Sequence, residues 1–152
     1  MEQTPKIKKL IKKSYIASIK NSKGSKIFRN FYATRDGEIF DAASNGDAAC
    51  AYFVSGILTM FGLIERIHLT VDRTVKDLVA SGWKEIKRPK VGSVIVWERL
   101  QFDGEEHKHI GFYIGNRRAI SNSSEKKCPV FHDWKFDGKR EVIAILWQSD
   151  IK

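Results

Sequence analysis

The stretch from residue 109 to residue 124, HIGFYIGNRRAISNSS, places two alternating segments on either side of a short polar turn. Alternation with a period of two is typical of half-buried β-strands, and the GNRR sequence between the segments predicts a hairpin. Another β-rich segment, VGSVIVWERL, begins at residue 91, and EVIAILWQS begins at residue 141. These segments predict an antiparallel sheet, interrupted between residues 125 and 140 by an excursion without a regular pattern.

The first half of the chain has helical periodicity instead. From Asp47 onward, apolar residues recur at spacings of three and four as far as a glycine, and Asp47 is the expected N-cap, with Asn45 or Ser44 as alternatives. A second helix is expected over residues 70–81. Because helices come first and antiparallel strands follow, the predicted fold class is α+β, with N-terminal helices packed on a small antiparallel sheet.

The positive charge of the chain is concentrated at its N-terminus. Residues 1–26 contain eight lysines and one glutamate out of a total net charge of +9, so the body is nearly neutral. Between Pro5 and Asn21, apolar residues at helical spacing alternate with lysines, which predicts an amphipathic helix. We expect a basic N-terminal helix or arm over residues 1–26 and a single catalytic domain over residues 27–152.

The basic helix has three possible roles on this pattern. It can lay its apolar stripe on the body, or it can contact an anionic polymer or a membrane surface. Specific nucleic-acid binding is not expected, because no recognised binding motif accompanies the lysines. The sequence has no apolar run long enough to span a membrane and no signal-peptide pattern, so the expected location is the cytoplasm or a compartment reached by another export route.

Cys50 lies in the first turn of the helix predicted after Asp47. A helix N-terminus contributes about half a positive charge and unpaired N–H groups, which can ionise a thiol and hold an oxyanion. The alternative is that Cys50 is a small apolar side chain facing the core. Position alone does not decide between a nucleophile and a core residue.

His109 supplies the second half of the argument, because it opens a predicted strand. Gly111 follows two residues later and therefore lies on the same face of that strand. A position without a side chain lets another element approach the sheet closely. We expect that element to be the helix that carries Cys50, which would bring a thiol and an imidazole together.

This combination resembles the NlpC-type cysteine peptidases, papain-like cell-wall amidases related to CHAP domains. The resemblance covers about residues 40–125 and rests on Cys50 at a helix start, a strand with an early Gly92, and HIGFYIG from His109. It implies a papain-like core in which the cysteine attacks an amide and the histidine is the base. It also implies a third polar residue that orients the imidazole, and a peptidoglycan peptide as the substrate.

The third residue has two main candidates. The family's third residue commonly lies about twelve positions after the histidine, which gives Ser121. A fixed amide carbonyl accepts from an imidazole N–H more reliably than a rotating hydroxyl, which favours Asn122. His132 or Asp133, in the excursion, are further alternatives.

The register of the hairpin bears on the same choice. With a two-residue turn at positions 116 and 117, Gly111 lies opposite Asn122, so Asn122 shares the face of His109. A three-residue loop would place Ser121 there instead. We therefore predict a catalytic set of Cys50, His109 and Asn122, with Asp47 and Ser121 contributing to oxyanion or substrate binding.

A metal site is a weaker interpretation of the same region. Glu105, Glu106, His107 and His109 are side-chain types that bind zinc, but the loop is acidic and no second group of ligands stands at suitable spacing. We predict no metal and no cofactor. Two cysteines, Cys50 and Cys128, do not make a disulfide framework.

The leading functional hypothesis is a cysteine amidase or endopeptidase that acts on peptidoglycan peptides through an acyl-enzyme. A second hypothesis is an acyltransferase or thioesterase at a lipid surface, whose activity would need lipid and would disappear when residues 1–26 are deleted. A third is a non-catalytic basic binding module on the same scaffold, which an ordinary thiol pKa for Cys50 would favour.

Overall fold

The computed structural model describes residues 2–99 and 107–152, which form three helices and eight strands. The helices are α1 (Ile11–Asn21), α2 (Cys50–Met60) and α3 (Val71–Ala80). The strands are β1 (Tyr32–Arg35), β2 (Glu38–Asp41), β3 (Lys84–Glu85), β4 (Val94–Trp97), β5 (His109–Gly115), β6 (Arg118–Ser123), β7 (Cys128–Asp133) and β8 (Val142–Trp147). Two single 3-10 turns, Ser44–Gly46 and Phe136–Gly138, complete the regular structure of the described residues.

The strands form two antiparallel sheets. β1 and β2 make a separate hairpin, and the other six strands lie in the order β3-β8-β4-β5-β6-β7. Helix α2 lies against β5 and β6, and its buried Phe53, Val54 and Leu58 join a core with Ile110, Phe112 and Ile120 of the sheet. The predicted α+β class, with helices on an antiparallel sheet, is confirmed. None of the helices in residues 2–99 and 107–152 has both the length and the apolar character needed to cross a membrane.

Helix α1 packs on this core, although it is shorter than the periodicity predicts. It begins at Ile11 instead of near Pro5, and Ile7 is 90% exposed. Three lysines lie among residues 6–9, where positive charge would oppose the positive end of the helix dipole. Within α1, Tyr15 and Ile19 are fully buried, and the Tyr15 hydroxyl donates to the backbone oxygen of Gly92 at 2.7 Å.

Helix α2 begins two residues later than predicted. The N-cap position is Ala49, no side chain caps the helix, and Cys50 is its first residue. Asn45 adopts a left-handed conformation within a 3-10 turn, which breaks the chain before the helix can start. The predicted N-cap role of Asp47 is therefore wrong. The prediction of α3 over residues 70–81 is confirmed, with the Thr70 side chain as its N-cap.

The hairpin between β5 and β6 contains the predicted two-residue turn and, in addition, a bulge. Asn116 and Arg117 both have positive φ, and Gly115 pairs with Arg118 as expected. The register then shifts by one residue, so that Phe112 pairs with Ile120. Continuing this register places Ser121, instead of Asn122, across from Gly111.

The excursion between residues 125 and 140 is more regular than its sequence indicates. It contains β7, which pairs with β6 along its whole length at the edge of the six-stranded sheet. A proline within the strand and charged residues around it hide the alternating pattern, and an edge strand tolerates both. The excursion therefore extends the sheet beside His109.

Candidate functional site

Cys50 and His109 line the same cleft, which has a volume of about 660 Å³. Helix α2 brings Cys50 to the cleft by its first residue, and β5 brings His109 by its first residue. Ser121 of β6 and His132 of β7 line the cleft as well. Asp47 and Asn122 line it too, so the structure brings together all five site residues predicted from the sequence and one of the alternatives, His132.

The Cys50 thiol is half-buried and receives hydrogen bonds from backbone N–H groups. One of these donors is Ile110, the residue that directly follows His109, and others are the N–H groups of Ala51 and Cys50. Burial raises the pKa of the thiol above its usual value, and these hydrogen bonds offset the effect only in part. The bond from Ile110 fixes the sulfur beside the start of β5.

His109 is held by one ring nitrogen. Its Nε2 lies 2.9 Å from Ser121 Oγ, and its ring lies near the rings of Trp97 and Phe136, at centroid distances of 5.5 and 5.9 Å. Burial is the main cause that lowers the pKa of His109, to about 3, and the nearby Arg140 and His132 side chains lower it further. The imidazole is therefore neutral near pH 7.

These two pKa shifts define the resting state of the pair. A raised thiol pKa and a lowered imidazole pKa both favour uncharged groups, so Cys50 and His109 are a neutral thiol and a neutral base. This is opposite to the ionised thiol that the helix N-terminus alone would favour. A neutral imidazole can take up a proton as a substrate is attacked, although a pKa this low makes His109 a weak base.

Ser121 connects His109 to a second imidazole. Its Oγ lies 2.7 Å from His132 Nε2, and His132 Nδ1 lies 2.7 Å from the backbone oxygen of Asp133. The His132 ring is stacked on Phe136 at a centroid distance of 4.0 Å. Burial lowers the pKa of His132 too, so this second imidazole is also neutral.

Asn122 lies on the other face of β6 from the imidazole. Its Nδ2 donates to the backbone oxygen of Gly46 at 2.8 Å, and its side chain is buried. The bulge in the hairpin accounts for the difference from the predicted position, because a shift of one residue exchanges the two faces of a strand. The structure therefore uses Asn122 to tie the loop before α2 to the sheet, while Ser121 contacts His109.

Asp47 lies at the edge of the cleft, three residues before Cys50. Its Oδ1 accepts from Lys127 Nζ at 3.1 Å, and both side chains are well exposed. A carboxylate cannot donate a hydrogen bond to an oxyanion, so Asp47 can contribute only to substrate contacts. The N–H groups at the uncapped start of α2 are better placed to hold an oxyanion.

The metal interpretation gains no support from the described part of the chain. Within residues 2–99 and 107–152, no group of three or more His, Cys, Asp or Glu side chains is arranged to hold a metal ion. Glu105 and Glu106 lie outside the described residues. His68 lies outside this cleft and is a largely buried partner of Asp77, with Nε2 and Oδ2 2.7 Å apart.

Comparison with known proteins does not assign this chain to a family. No protein-family model matches the sequence, and no curated protein matches it. The arguments for its function therefore rest on the residues of the cleft.

Proposed function

We propose that this protein is a cysteine hydrolase, an amidase or endopeptidase, with Cys50 as nucleophile, His109 as base and Ser121 as the residue that orients His109. One observation carries the proposal. Cys50 and His109 line the same cleft, and His109 is held through Nε2 by Ser121 Oγ, so Nδ1 is the ring nitrogen left to accept a proton from the thiol. The papain-like, NlpC-type core implied by the resemblance is part of the same proposal.

The first half of the reaction follows from the neutral pair. His109 Nδ1 takes the proton of the Cys50 thiol as the sulfur forms a bond to the carbonyl carbon of an amide. The carbonyl electron pair moves to oxygen, and the N–H groups at the start of α2 stabilise this oxyanion. The imidazolium then gives its proton to the leaving nitrogen as the carbon–nitrogen bond breaks, which leaves an acyl-enzyme.

The second half returns the enzyme to its resting state. His109 takes a proton from water as the water oxygen attacks the thioester carbon. The carbon–sulfur bond breaks, and the sulfur regains the proton from the imidazolium. A low imidazole pKa makes His109 a weak base, so this proposal places most of the rate enhancement in orientation and oxyanion binding.

The proposed substrates are peptides of peptidoglycan. The cleft is open enough for an extended peptide, and both charge signs are present at its margin in Asp47 and Lys108. Mixed charges at the margin suit short peptides that carry both carboxylates and amines. The substrate class itself is taken from the resemblance.

The test is hydrolysis of soluble muropeptides by matched cysteine variants. We expect Cys50→Ala to abolish the release of new amino groups and to prevent trapping of an acyl-enzyme by mass spectrometry. Cys128→Ala is the control, because Cys128 is also a half-buried free cysteine but lies on β7 and does not line the cleft. Equal hydrolysis by wild type and Cys50→Ala would overturn the proposal.

The raised thiol pKa favours a second candidate, a non-catalytic binding module on the same scaffold. The two candidates differ in what happens to a bound peptide. If peptides protect Cys50 from alkylation but are recovered intact after long incubation, the cleft binds without cleaving. Recovery of cleaved peptides that depends on Cys50 decides for the hydrolase.

The segment before α1 carries the proposed contact with an anionic polymer or membrane surface. Ile7 and Leu10 are exposed, at 90% and 54%, among Lys6, Lys8 and Lys9. Apolar and basic side chains together are typical of segments that bind anionic surfaces. Replacing these three lysines with glutamine should weaken sedimentation with anionic vesicles or wall polymer, and leave hydrolysis of soluble muropeptides unchanged.

A further inference from the structure

We infer that His132 is a positioning residue that acts through Ser121 to keep the proton of His109 on Nε2 and the lone pair on Nδ1. The inference rests on the proposed function for its catalytic meaning, but the proton positions follow from the hydrogen-bond geometry around a neutral His132. Three consecutive contacts define them, at 2.7, 2.7 and 2.9 Å.

The backbone oxygen of Asp133 sets the donor-to-acceptor direction of this chain of hydrogen bonds. A carbonyl oxygen only accepts hydrogen bonds, so His132 Nδ1 must carry a proton to make the 2.7 Å contact. A neutral imidazole has one N–H, so His132 Nε2 is then an acceptor. The partner of that nitrogen, Ser121 Oγ, must be the donor.

The hydroxyl of Ser121 passes this direction on to His109. A hydroxyl has one proton, and that proton is already directed at His132. Ser121 Oγ can therefore meet His109 Nε2 only as an acceptor, which places the proton of His109 on Nε2. The lone pair of the neutral His109 ring is then on Nδ1, where the proposed mechanism requires a base.

The surroundings of His132 fix its ring in the orientation that this chain needs. Phe136 stacks on the ring with an angle of 17° between the two planes, and the centroid of the Trp97 ring lies 5.5 Å from that of His132. The loop that carries Phe136 is shaped by Asp133, whose Oδ2 accepts from the backbone N–H groups of Lys135 and Asp137. Residues 133–138 thus hold the His132 ring in its orientation. This is the role we infer for this part of the excursion between residues 125 and 140.

The chain also stabilises the charge that forms on His109 during the reaction. When Nδ1 takes the thiol proton, the N–H at Nε2 becomes a stronger donor to Ser121 Oγ, and Ser121 in turn donates more strongly to His132. No proton needs to leave His132, whose Nδ1–H continues to donate to the backbone oxygen of Asp133. A serine and a histidine together replace the single amide or carboxylate that often orients a catalytic histidine.

The test reads the tautomers directly in the full chain. Long-range ¹H–¹⁵N correlation spectra of uniformly ¹⁵N-labelled protein distinguish protonated from unprotonated ring nitrogens, and histidine variants assign the four rings. We expect His109 protonated on Nε2 and His132 protonated on Nδ1 near pH 7. In His132→Phe, which keeps the stacking shape without an acceptor, we expect a mixture of His109 tautomers.

Kinetics on muropeptides provide the second reading. His132→Phe should lower kcat by about 10- to 100-fold with little change in KM, the usual effect of removing a residue that orients another. His132→Gln should recover most of this loss, because a glutamine amide oxygen can accept from Ser121 where Nε2 does. Ser121→Ala, which breaks the same chain at another point, should reproduce the tautomer mixture if His132→Phe fails to fold.

The outcomes separate this inference from the proposed function. A wild-type His109 protonated on Nδ1, or an unchanged His109 tautomer and kcat in His132→Phe, overturns the role of His132 even if Cys50 is catalytic. The expected tautomers in a protein that cleaves nothing would support the hydrogen-bond chain and refute the hydrolase.

Discussion

Two clusters in this protein combine serine and histidine, and they differ in whether a carboxylate contacts the imidazole. In the cleft, His109, Ser121 and His132 form a chain that contains no carboxylate. On the far side of α2, Ser55 and His68 are gathered around Asp77.

The cluster around Asp77 is a structural one. The carboxylate accepts from the backbone N–H groups of Glu65 and Arg66, from Ser81 Oγ and from His68 Nε2. Burial alone would raise the pKa of Asp77, but these hydrogen bonds lower it below its usual value. All of its acceptor capacity serves to close the loop between α2 and α3.

The cleft cluster instead borders a substrate-sized space of about 660 Å³. Its members contact one another and a backbone oxygen, so no carboxylate takes part in this chain of hydrogen bonds. A carboxylate beside His109 would raise its pKa, whereas the present neighbours keep it low. The comparison teaches that the surroundings of a polar cluster, a closed loop or an open cleft, distinguish a cluster that holds the fold from one that is accessible to a ligand.

The largest expected effect separates the two histidines by activity. His109→Ala should lower kcat/KM for muropeptides by about 10³-fold, because the proposed base is lost. His68→Ala should leave kcat/KM close to that of wild type while lowering the free energy of unfolding. Steady-state kinetics of both variants measure this, and equal losses of activity would contradict the distinction between the clusters.

The next effect separates the clusters by stability. Asp77→Ala should lower the free energy of unfolding by about 3 kcal/mol, because two backbone N–H groups and two side chains lose a buried acceptor. Urea denaturation measures it. Asp72→Ala is the matched control, since Asp72 is exposed and its contact with Lys108 is worth little; a loss as large as that of Asp77→Ala would remove the special role of Asp77.

A smaller effect is expected at Gly111, where β5 and β6 lie too close together for an added side chain. A Cβ at Gly111 would lie 2.6 Å from the backbone oxygen of Ile120 and 2.8 Å from Ser121 Cβ. Gly111→Ala should therefore cost about 1–3 kcal/mol of stability and also lower kcat by displacing Ser121 from His109. Denaturation and kinetics are measured on the same sample, and full activity in Gly111→Ala would show that Ser121 need not be held so closely.

The effect that is smallest at neutral pH is the titration of these groups, which appears only as the pH falls. His109 and His132 have pKa values below the unfolded value of about 6.5, so the unfolded chain binds their protons first as pH falls. Stability should therefore decline below about pH 6.5, by up to about 1.4 kcal/mol per pH unit for each histidine. Asp77, whose pKa is also lowered, contributes stability that is lost only below about pH 4.

Variants of each cluster test these two windows. The double variant His109→Gln, His132→Gln should flatten the decline between pH 6.5 and 4.5 in urea denaturation. Asp77→Asn should alter the dependence only in the more acidic range. A decline between pH 6.5 and 4.5 that survives the double variant would show that other groups cause it.

Local patterns in the sequence predict the elements that carry the site. The periodicity that places α2 and α3 and the alternation that places β5 and β6 are signals within short windows. Helix α2 starts later than predicted because the conformation of Asn45 depends on its surroundings. Cys50 and His109 can be identified from the sequence because each is the first residue of such an element.

Local sequence patterns do not predict which residue contacts the His109 ring. The two-residue turn is encoded locally, but the bulge at Gly115 depends on how β5 meets β4 and β6, and it exchanges the positions of Ser121 and Asn122. The spacing of twelve residues from the resemblance pointed to Ser121. A proline obscures the alternating pattern of β7, the strand that carries His132. No local sequence pattern therefore predicts the contact between His132 and Ser121.

The anchoring of α1 by Tyr15 decides where the chain can be shortened. Removal of residues 1–26 would expose the cavity that Tyr15 and Ile19 fill and would release the backbone oxygen of Gly92, so loss of activity on that deletion would report unfolding. The backbone N–H of Lys12 also bonds the backbone oxygen of Lys152, which joins the two ends of the fold at 2.9 Å. A deletion that ends at residue 9 removes most of the proposed surface-binding segment and keeps the hydrogen bond between Lys12 and Lys152.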